Sequence, residues 1–386
     1  MATTQYLSYR MRRPKILFLV VIALLPLTLV SCSLFGGGPV SGGWAGTAFR
    51  DGIIYAGTRD GRVVAINASS WEQQWQWPDT DVSRSLIYTT PIVDGGLVYV
   101  GTYSGEIYAL NTADGEHIWV YPPKGEGYIG AVVGSPVIDN ETIYVSSSDG
   151  KVYALNTING KRKWETDSPL TDKLWTSPTI KGDTLYVSTF DGHIYALSLE
   201  TGELDWSFKS ETGFASAPVI YEDIIYVGSF DRHIYAVKIG SDTPMWKFPQ
   251  EKPAGNWFWA SPVVNEGIVY ASCLDGKLYA IEAETGEKLW EFDAEKPMVS
   301  SPVLVDNLLV VASEAGNVYV IDSETGVGER IENPENGDKP TINVQIRASL
   351  CAHEGLVYIR DENNQLYIVD IEQMNVSQPI PLTKGE

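Results

Sequence analysis

From residue 44 onward, apolar and polar positions alternate in runs of four to six residues, and Gly, Asn, Asp and Pro punctuate the runs. Period-two alternation between turn residues predicts half-buried β-strands. In one stretch Ser135-Pro136-Val137-Ile138 reads as a first strand and Asp139-Asn140 as a turn into a second strand at 143–146. Asp149-Gly150 reads as a hairpin turn, because Gly accepts the positive φ such turns require. A third strand follows at 151–155, and Asn159-Gly160 turns into a fourth that ends at Trp164. Four short strands in this order predict an antiparallel meander.

The same unit recurs eight times. Aligned on Val64, Tyr108, Tyr153, Tyr195, Tyr235, Tyr279, Tyr319 and Tyr367, the spacings are 44, 45, 42, 40, 44, 40 and 48 residues, the period of propeller blades. Four further offsets hold. Eleven residues after the anchor stand Trp75, Trp119, Trp164, Trp206, Trp246 and Trp290. Seventeen before it stand Pro91, Pro136, Pro178, Pro218, Pro262 and Pro302, and nine before it a tyrosine in seven of eight units. Gly precedes the anchor by three positions in six of eight.

Proline has no N–H to give a sheet, so the first strand is expected at the free edge, innermost in the ring. The tryptophan then lies on the outermost strand and packs between neighbouring sheets, each ring contributing about 2–3 kcal/mol of burial. The expectation is an all-β, eight-bladed β-propeller with four-stranded antiparallel blades over residues 44–381. Arg330 and Gln378 replace the tryptophan in units seven and eight, which predicts a weaker closure.

Composition narrows the function. The 386 residues carry 28 Lys+Arg against 49 Asp+Glu, a net charge of −21; so acidic a chain is not built for phosphate contacts, and no nucleic-acid partner is expected. At the N-terminus, Arg10, Arg12, Arg13 and Lys15 precede an apolar run over 16–30 that ends in Leu29-Val30-Ser31-Cys32. Fifteen apolar residues suit a signal-peptide core better than a membrane span, and the final four residues resemble a bacterial lipobox. Residues 1–31 are therefore expected to be a lipoprotein signal peptide, Cys32 the lipidated N-terminus, and residues 32–43 a flexible Gly-rich tether. Removing the signal peptide takes away four basic residues and no acidic one, leaving −25. The expected location is extracytoplasmic and membrane-anchored: the periplasmic face of an outer membrane where two membranes exist, otherwise the cell surface.

The run Ala109 to Trp119 (ALNTADGEHIW) and, more closely, Ala280 to Trp290 (AIEAETGEKLW) resemble the tryptophan-docking motif of quinoprotein-type propellers. The resemblance covers about residues 44–381. It is to the PQQ-repeat superfamily, which includes PQQ-dependent alcohol dehydrogenases and the BamB-type outer-membrane assembly lipoproteins. A dehydrogenase of this superfamily would hold PQQ under a disulfide of adjacent cysteines and bind calcium through Glu, Asn and Asp. Here Cys273 and Cys351 belong to units six and eight, so PQQ and calcium are not expected. The BamB resemblance implies a non-catalytic protein-interaction scaffold whose partner is an envelope protein, such as a β-barrel assembly component.

Histidines 193 and 233 share one repeat position, but adjacent blades hold that position too far apart for a shared zinc. An exposed polar position is expected there, and no metal. Three residues before the proline position stand Trp44, Tyr88, Trp175, Trp259 and Arg347, with Trp257 beside them. They enter the innermost strands near one mouth of the ring and form the candidate binding mouth, for a partner or for a small molecule or glycan. Inter-blade packing is the competing explanation. No catalytic residue is assigned.

Overall fold

A computed structural model describes residues 45–78, 85–170, 173–333 and 341–382. The expected signal peptide, Cys32, the expected tether and Trp44 lie outside the described residues. Among the described residues every regular element is a β-strand. Blade 1 comprises Thr47–Arg50, Ile53–Gly57, Val63–Asn67 and Gln73–Trp77, and the chain then repeats this meander over 92–121, 137–165, 179–209, 219–248, 263–293, 303–330 and 351–381. In each of the eight sheets the strands are hydrogen-bonded in chain order, all antiparallel. The eight-bladed β-propeller read from the sequence is the fold observed.

Each inner strand is three residues long except in blade 1, and in blades 2 to 7 it starts after the proline, as Val137–Asp139 does after Pro136. The residue before the proline has a use that the alternation did not reveal. Thr90 N donates to Ser135 Oγ (2.9 Å), Ser135 N to Ser177 Oγ (2.8 Å) and Gly46 N to Thr90 Oγ1 (3.1 Å). A chain of hydroxyls thus links the inner strands of blades 1 to 4.

The tryptophans explain the rest of the repeat. In each blade that has one, it stands opposite an alanine of the third strand: Ala65, Ala109, Ala154, Ala196, Ala236 and Ala280. The two blades without a tryptophan carry Val320 and Ile368 there, so small faces large and the sheet keeps its thickness. A bulge lies just before the indole in blades 1, 2, 3, 4 and 6, at Lys163 in blade 3, but not before Trp246 in blade 5, so the docked rings reach the next blade with or without it. There Trp119 Nε1 donates to Thr157 O at 2.8 Å, and Tyr99 OH donates to the same carbonyl at 3.2 Å. Trp164 and Tyr144 share Leu199 O, Trp246 and Tyr226 share Ala283 O, and Trp290 and Tyr270 share Ser323 O. Trp75 donates to Thr112 O at 2.8 Å.

Each of these rings lies flat on a glycine of the next blade, seven residues after that blade's anchor: Gly115, Gly160, Gly202, Gly286 and Gly326. Gly160 has φ +67°, and a Cβ on it would come within 2.6 Å of Trp119 Cε3. Trp206 is the exception. Asp242 holds the glycine position in blade 5, the left-handed turn residue is Gly240 with open space around it, and among the described residues Trp206 has no carbonyl partner across the seam. Of the six tryptophans expected to dock, five do.

The last two seams close by other means. Blades 7 and 8 share a cluster that includes Val318, Ile331, Ile346, Val357 and Val369. Blade 8 meets blade 1 in a second, where Leu382, Leu366 and Ile368 pack on Ile54, Val64 and Ile66. Phe49 stacks on His353 with centroids 3.9 Å apart, and the buried Arg360 donates Nε to Ala45 O at 2.9 Å. Burial brings that guanidinium down to about 10, still charged at neutral pH. The outer strand of blade 8 is split at the missing tryptophan into Asn375–Val376 and Ile380–Pro381, both paired with Gln365–Asp370.

Gly160→Ala is expected to cost about 3 kcal/mol or more, combining positive φ with overpacking on Trp119. Gly182→Ala, equally left-handed but in open space, is expected to cost about 1 kcal/mol. Urea unfolding followed by intrinsic fluorescence measures both; equal costs would contradict the glycine seat.

Candidate functional site

In a meander of this order, the hairpin between second and third strands and the long connection into the next blade emerge at the same end of the sheet. That end is called the upper face here. Two repeat positions build its mouth. In the connections, residues alternate. Ile87, Val132, Leu174, Phe214, Phe258, Met298 and Ile346 are buried to 1% or less and plug the blades from above. The next residue in each case is Tyr88, Val133, Trp175, Ala215, Trp259, Val299 or Arg347, the row singled out from the sequence. Phe258 therefore belongs to the core of blades 5 and 6, while Trp257 and Trp259 on either side of it are half-buried.

The second position, five residues before the anchor, was missed by sequence reading. It holds Arg59, Tyr103, Ser148, Phe190, Phe230, Leu274, Glu314 and Glu362. Phe190 lies edge-on to Trp175 (5.6 Å), Phe230 (5.1 Å) and Trp259 (6.3 Å), and Phe230 also meets Trp257 (5.4 Å) and Trp259 (6.1 Å). These five half-buried rings form one aromatic wall over blades 4 to 6. The indole N–H of Trp175 is buried and has no acceptor among the described residues, an unmet donor beside the wall, and Lys173 Nζ lies 5.3 Å from the same ring. Tyr88 pairs with Tyr103 at 5.3 Å over blade 2, apart from this wall. A signal for the two phenylalanines existed: Phe190 and Phe230 share one offset in adjacent units, in Thr-Phe-Asp and Ser-Phe-Asp.

Arg347 sits elsewhere and is occupied. Its Nε reaches Glu314 Oε1 at 2.7 Å and its Nη1 reaches Glu362 Oε1 at 3.0 Å. It joins the hairpins of blades 7 and 8, and the structure does not bring it to the aromatic wall.

The polar positions are tied into the blades. Asp149, Asp231 and Asp275 accept from the hydroxyls of Tyr153, Tyr235 and Tyr279 at 2.6 to 2.8 Å. Burial, together with the carboxylate, pushes the Tyr153 and Tyr279 phenols up. The position of His193 and His233, expected to be exposed, is half-buried, because these side chains lie across the hairpin. Lys151 reaches Glu165 at 3.0 Å in the outer strand, and each histidine Nδ1 faces its own blade's Asp191 or Asp231 at 3.3 and 3.2 Å. The two imidazoles are thus committed to separate blades. Among the described residues no group of three or more His, Cys, Asp or Glu is arranged to hold a metal.

The two cysteines of the ring are free thiols. Cys273 takes the place of the Thr or Ser found six residues before the anchor in units one to five and seven, and its Sγ donates to Asn256 O at 3.3 Å. Burial, and secondarily Asp275, push its thiol up; burial does the same to Cys351.

These features match a known family. The family described as outer membrane protein assembly factor BamB matches residues 33–248 and 231–376, most of the chain. The chain belongs to the BamB family of PQQ-repeat propellers. BamB from Moraxella catarrhalis is 19% identical, over 84% of this chain and 93% of that one, with a TM-score of 0.66. The computationally designed Ika8 protein is 16% identical over 85% and 96%, with a TM-score of 0.70. A europium-containing methanol dehydrogenase is 12% identical over 86% and 82%, with a TM-score of 0.65. A search of the curated proteins finds no match. One fold thus serves an assembly factor, a designed protein and an enzyme, so function has to be argued from the site.

Raised thiol pKa values leave little thiolate. Cys273 is expected to resist iodoacetamide at pH 8 in the folded protein and to react once urea unfolds it, as read by mass spectrometry. Rapid native alkylation would show that the thiol is not held as described.

Proposed function

We propose that this chain is a lipid-anchored, extracytoplasmic interaction scaffold without catalysis, whose upper face docks an envelope protein of the β-barrel assembly type. One observation carries the reading: the BamB family match runs through almost the whole ring. The aromatic wall supports it. Five rings at the mouth, none fully buried, form the kind of anchor surface on which binding energy concentrates. We read Cys32 as the lipidated residue and the tether as the link to the membrane; the lipobox-like sequence supports this.

We also read the chain as free of PQQ and calcium. Cys273 and Cys351 stand in blades 6 and 8, and Cys273 is engaged with the backbone beneath Trp257. Arg347 neutralises Glu314 and Glu362. These residues do not fit a quinone held under a disulfide beside a calcium ion, and no step is derived through either. The second reading, a small molecule or glycan at the mouth, rests on the Trp175 N–H, a buried donor suited to a ligand hydroxyl or carbonyl.

Used as bait in a detergent extract of its own envelope, the chain is expected to recover a β-barrel assembly component. The Trp175→Ala, Trp259→Ala double variant should lose it while its Tm shifts by less than about 4 °C. A large fall in Tm would assign the wall to packing; recovery of no envelope protein, with a soluble glycan raising Tm, would favour the second reading. Cys32→Ser should move the protein from the membrane pellet to the soluble fraction. PQQ plus calcium with a dye acceptor should give no turnover, and turnover would refute the non-catalytic reading.

A further inference from the structure

We propose that the seam between blades 4 and 5 is the compliant joint of the ring, hinged at its inner edge and able to part at its outer rim. The proposal does not depend on the scaffold reading.

Every other seam on which a tryptophan could dock is locked at the rim by an indole N–H on a carbonyl and a glycine under the ring. At the joint the indole and the equivalent carbonyl, that of Ile239, are both present, but the glycine is replaced by Asp242 and, among the described residues, the indole N–H makes no bond to a carbonyl. Blade 5 turns from its third to its fourth strand through Ile239-Gly240-Ser241-Asp242-Thr243-Pro244. The left-handed residue has moved from the glycine position to Gly240, two residues earlier, where it faces open space. The chain rejoins the sheet at Met245, whose N–H donates to Ala236 O at 2.8 Å. Trp206 is left partly buried against the apolar cluster that blades 4 and 5 share, with no acceptor for its N–H among the described residues. Leu204, in the same strand, is 52% exposed, and the outer strand of blade 5 is three residues long against six in blade 4.

The inner edge is held well. Thr179 Oγ1 donates to Pro218 O at 2.6 Å, Ser188 Oγ to Ser216 O at 2.7 Å, and Phe214 N to Thr189 O at 2.9 Å. The exposed Lys181–Asp223 pair adds little. Towards the rim the seam keeps the packing of Phe208 on blade 5 and a bond from Ser210 Oγ to Tyr235 OH at 3.2 Å, but not the indole lock, so its outermost part is the freest to move and the seam moves as a hinge. The two seams that lack a tryptophan altogether are closed differently: Arg347 bridges blades 7 and 8, and Arg360 and Leu382 seal blade 8 to blade 1.

Hydrogen exchange by mass spectrometry on the folded propeller should show the amides of Leu204–Lys209 exchanging roughly tenfold faster than those of Lys288–Asp293 in blade 6. Trp206→Ala should lower the urea midpoint by less than half the amount that Trp119→Ala does. Gly240→Glu, Ser241→Thr, Asp242→Gly, Thr243→Glu and Pro244→Lys together give blade 5 the turn of blade 6, and should slow exchange in Leu204–Lys209 to the blade 6 rate. Equal protection of the two outer strands in the native chain, or equal cost of the two alanine variants, would overturn the proposal. So would a folded turn variant with unchanged exchange; if that variant does not fold, the other two measurements decide.

Discussion

The fold depends on one constraint: a four-stranded sheet has two apolar faces and cannot cover either by itself. A ring covers both, provided that each sheet holds its neighbour at the rim as well as at the axis. Here the rim contact is an indole N–H and a tyrosine hydroxyl donating to one backbone carbonyl of the next blade, with the indole face on a glycine. The polar groups of that contact would be costly to bury unpaired, so the arrangement sets both the spacing and the relative orientation of the sheets. The alanine opposite each tryptophan and the glycine seven residues after the anchor both serve this single contact.

The mouth is constructed differently. Its two rows are repeat positions that the core uses at only a few blades, such as Ala215 and Leu274: the residue following each buried plug, and the tip of each hairpin. Largely free of the packing constraint, they vary around the ring. They form an aromatic wall over blades 4 to 6, a tyrosine pair over blade 2 and an ionic bridge over blades 7 and 8. A repeat scaffold that keeps its interior uniform can carry a different surface chemistry in each sector, which is how one fold serves both assembly factors and enzymes.

The aromatic wall lies over the seam at which the rim lock is missing. Phe190 belongs to blade 4 and Phe230 to blade 5, and their edge-to-face contact spans that seam on the upper face. The sector proposed for docking is therefore also the one where the indole lock is missing.

Much of this was legible in the chain, because the repeat is local. Period-two alternation, turn residues and the recurring Tyr, Trp and Pro offsets determined the strands, their order, the number of blades and the tryptophan at the rim, all within about 45 residues of any point. The undocked Trp206 was legible too, for Asp242 breaks the glycine series, although only knowledge of what the glycine touches gives that break a meaning. Tertiary structure alone decided the contacts between blades. It brought Phe190 and Phe230 to Trp175 and Trp259, gave Arg347 to two glutamates, and joined Arg360 to Ala45 across nearly the whole length of the chain. The physical reason is ring closure: which side chains meet at the mouth depends on the angle between neighbouring sheets, and that angle is a property of the assembled circle rather than of any one unit.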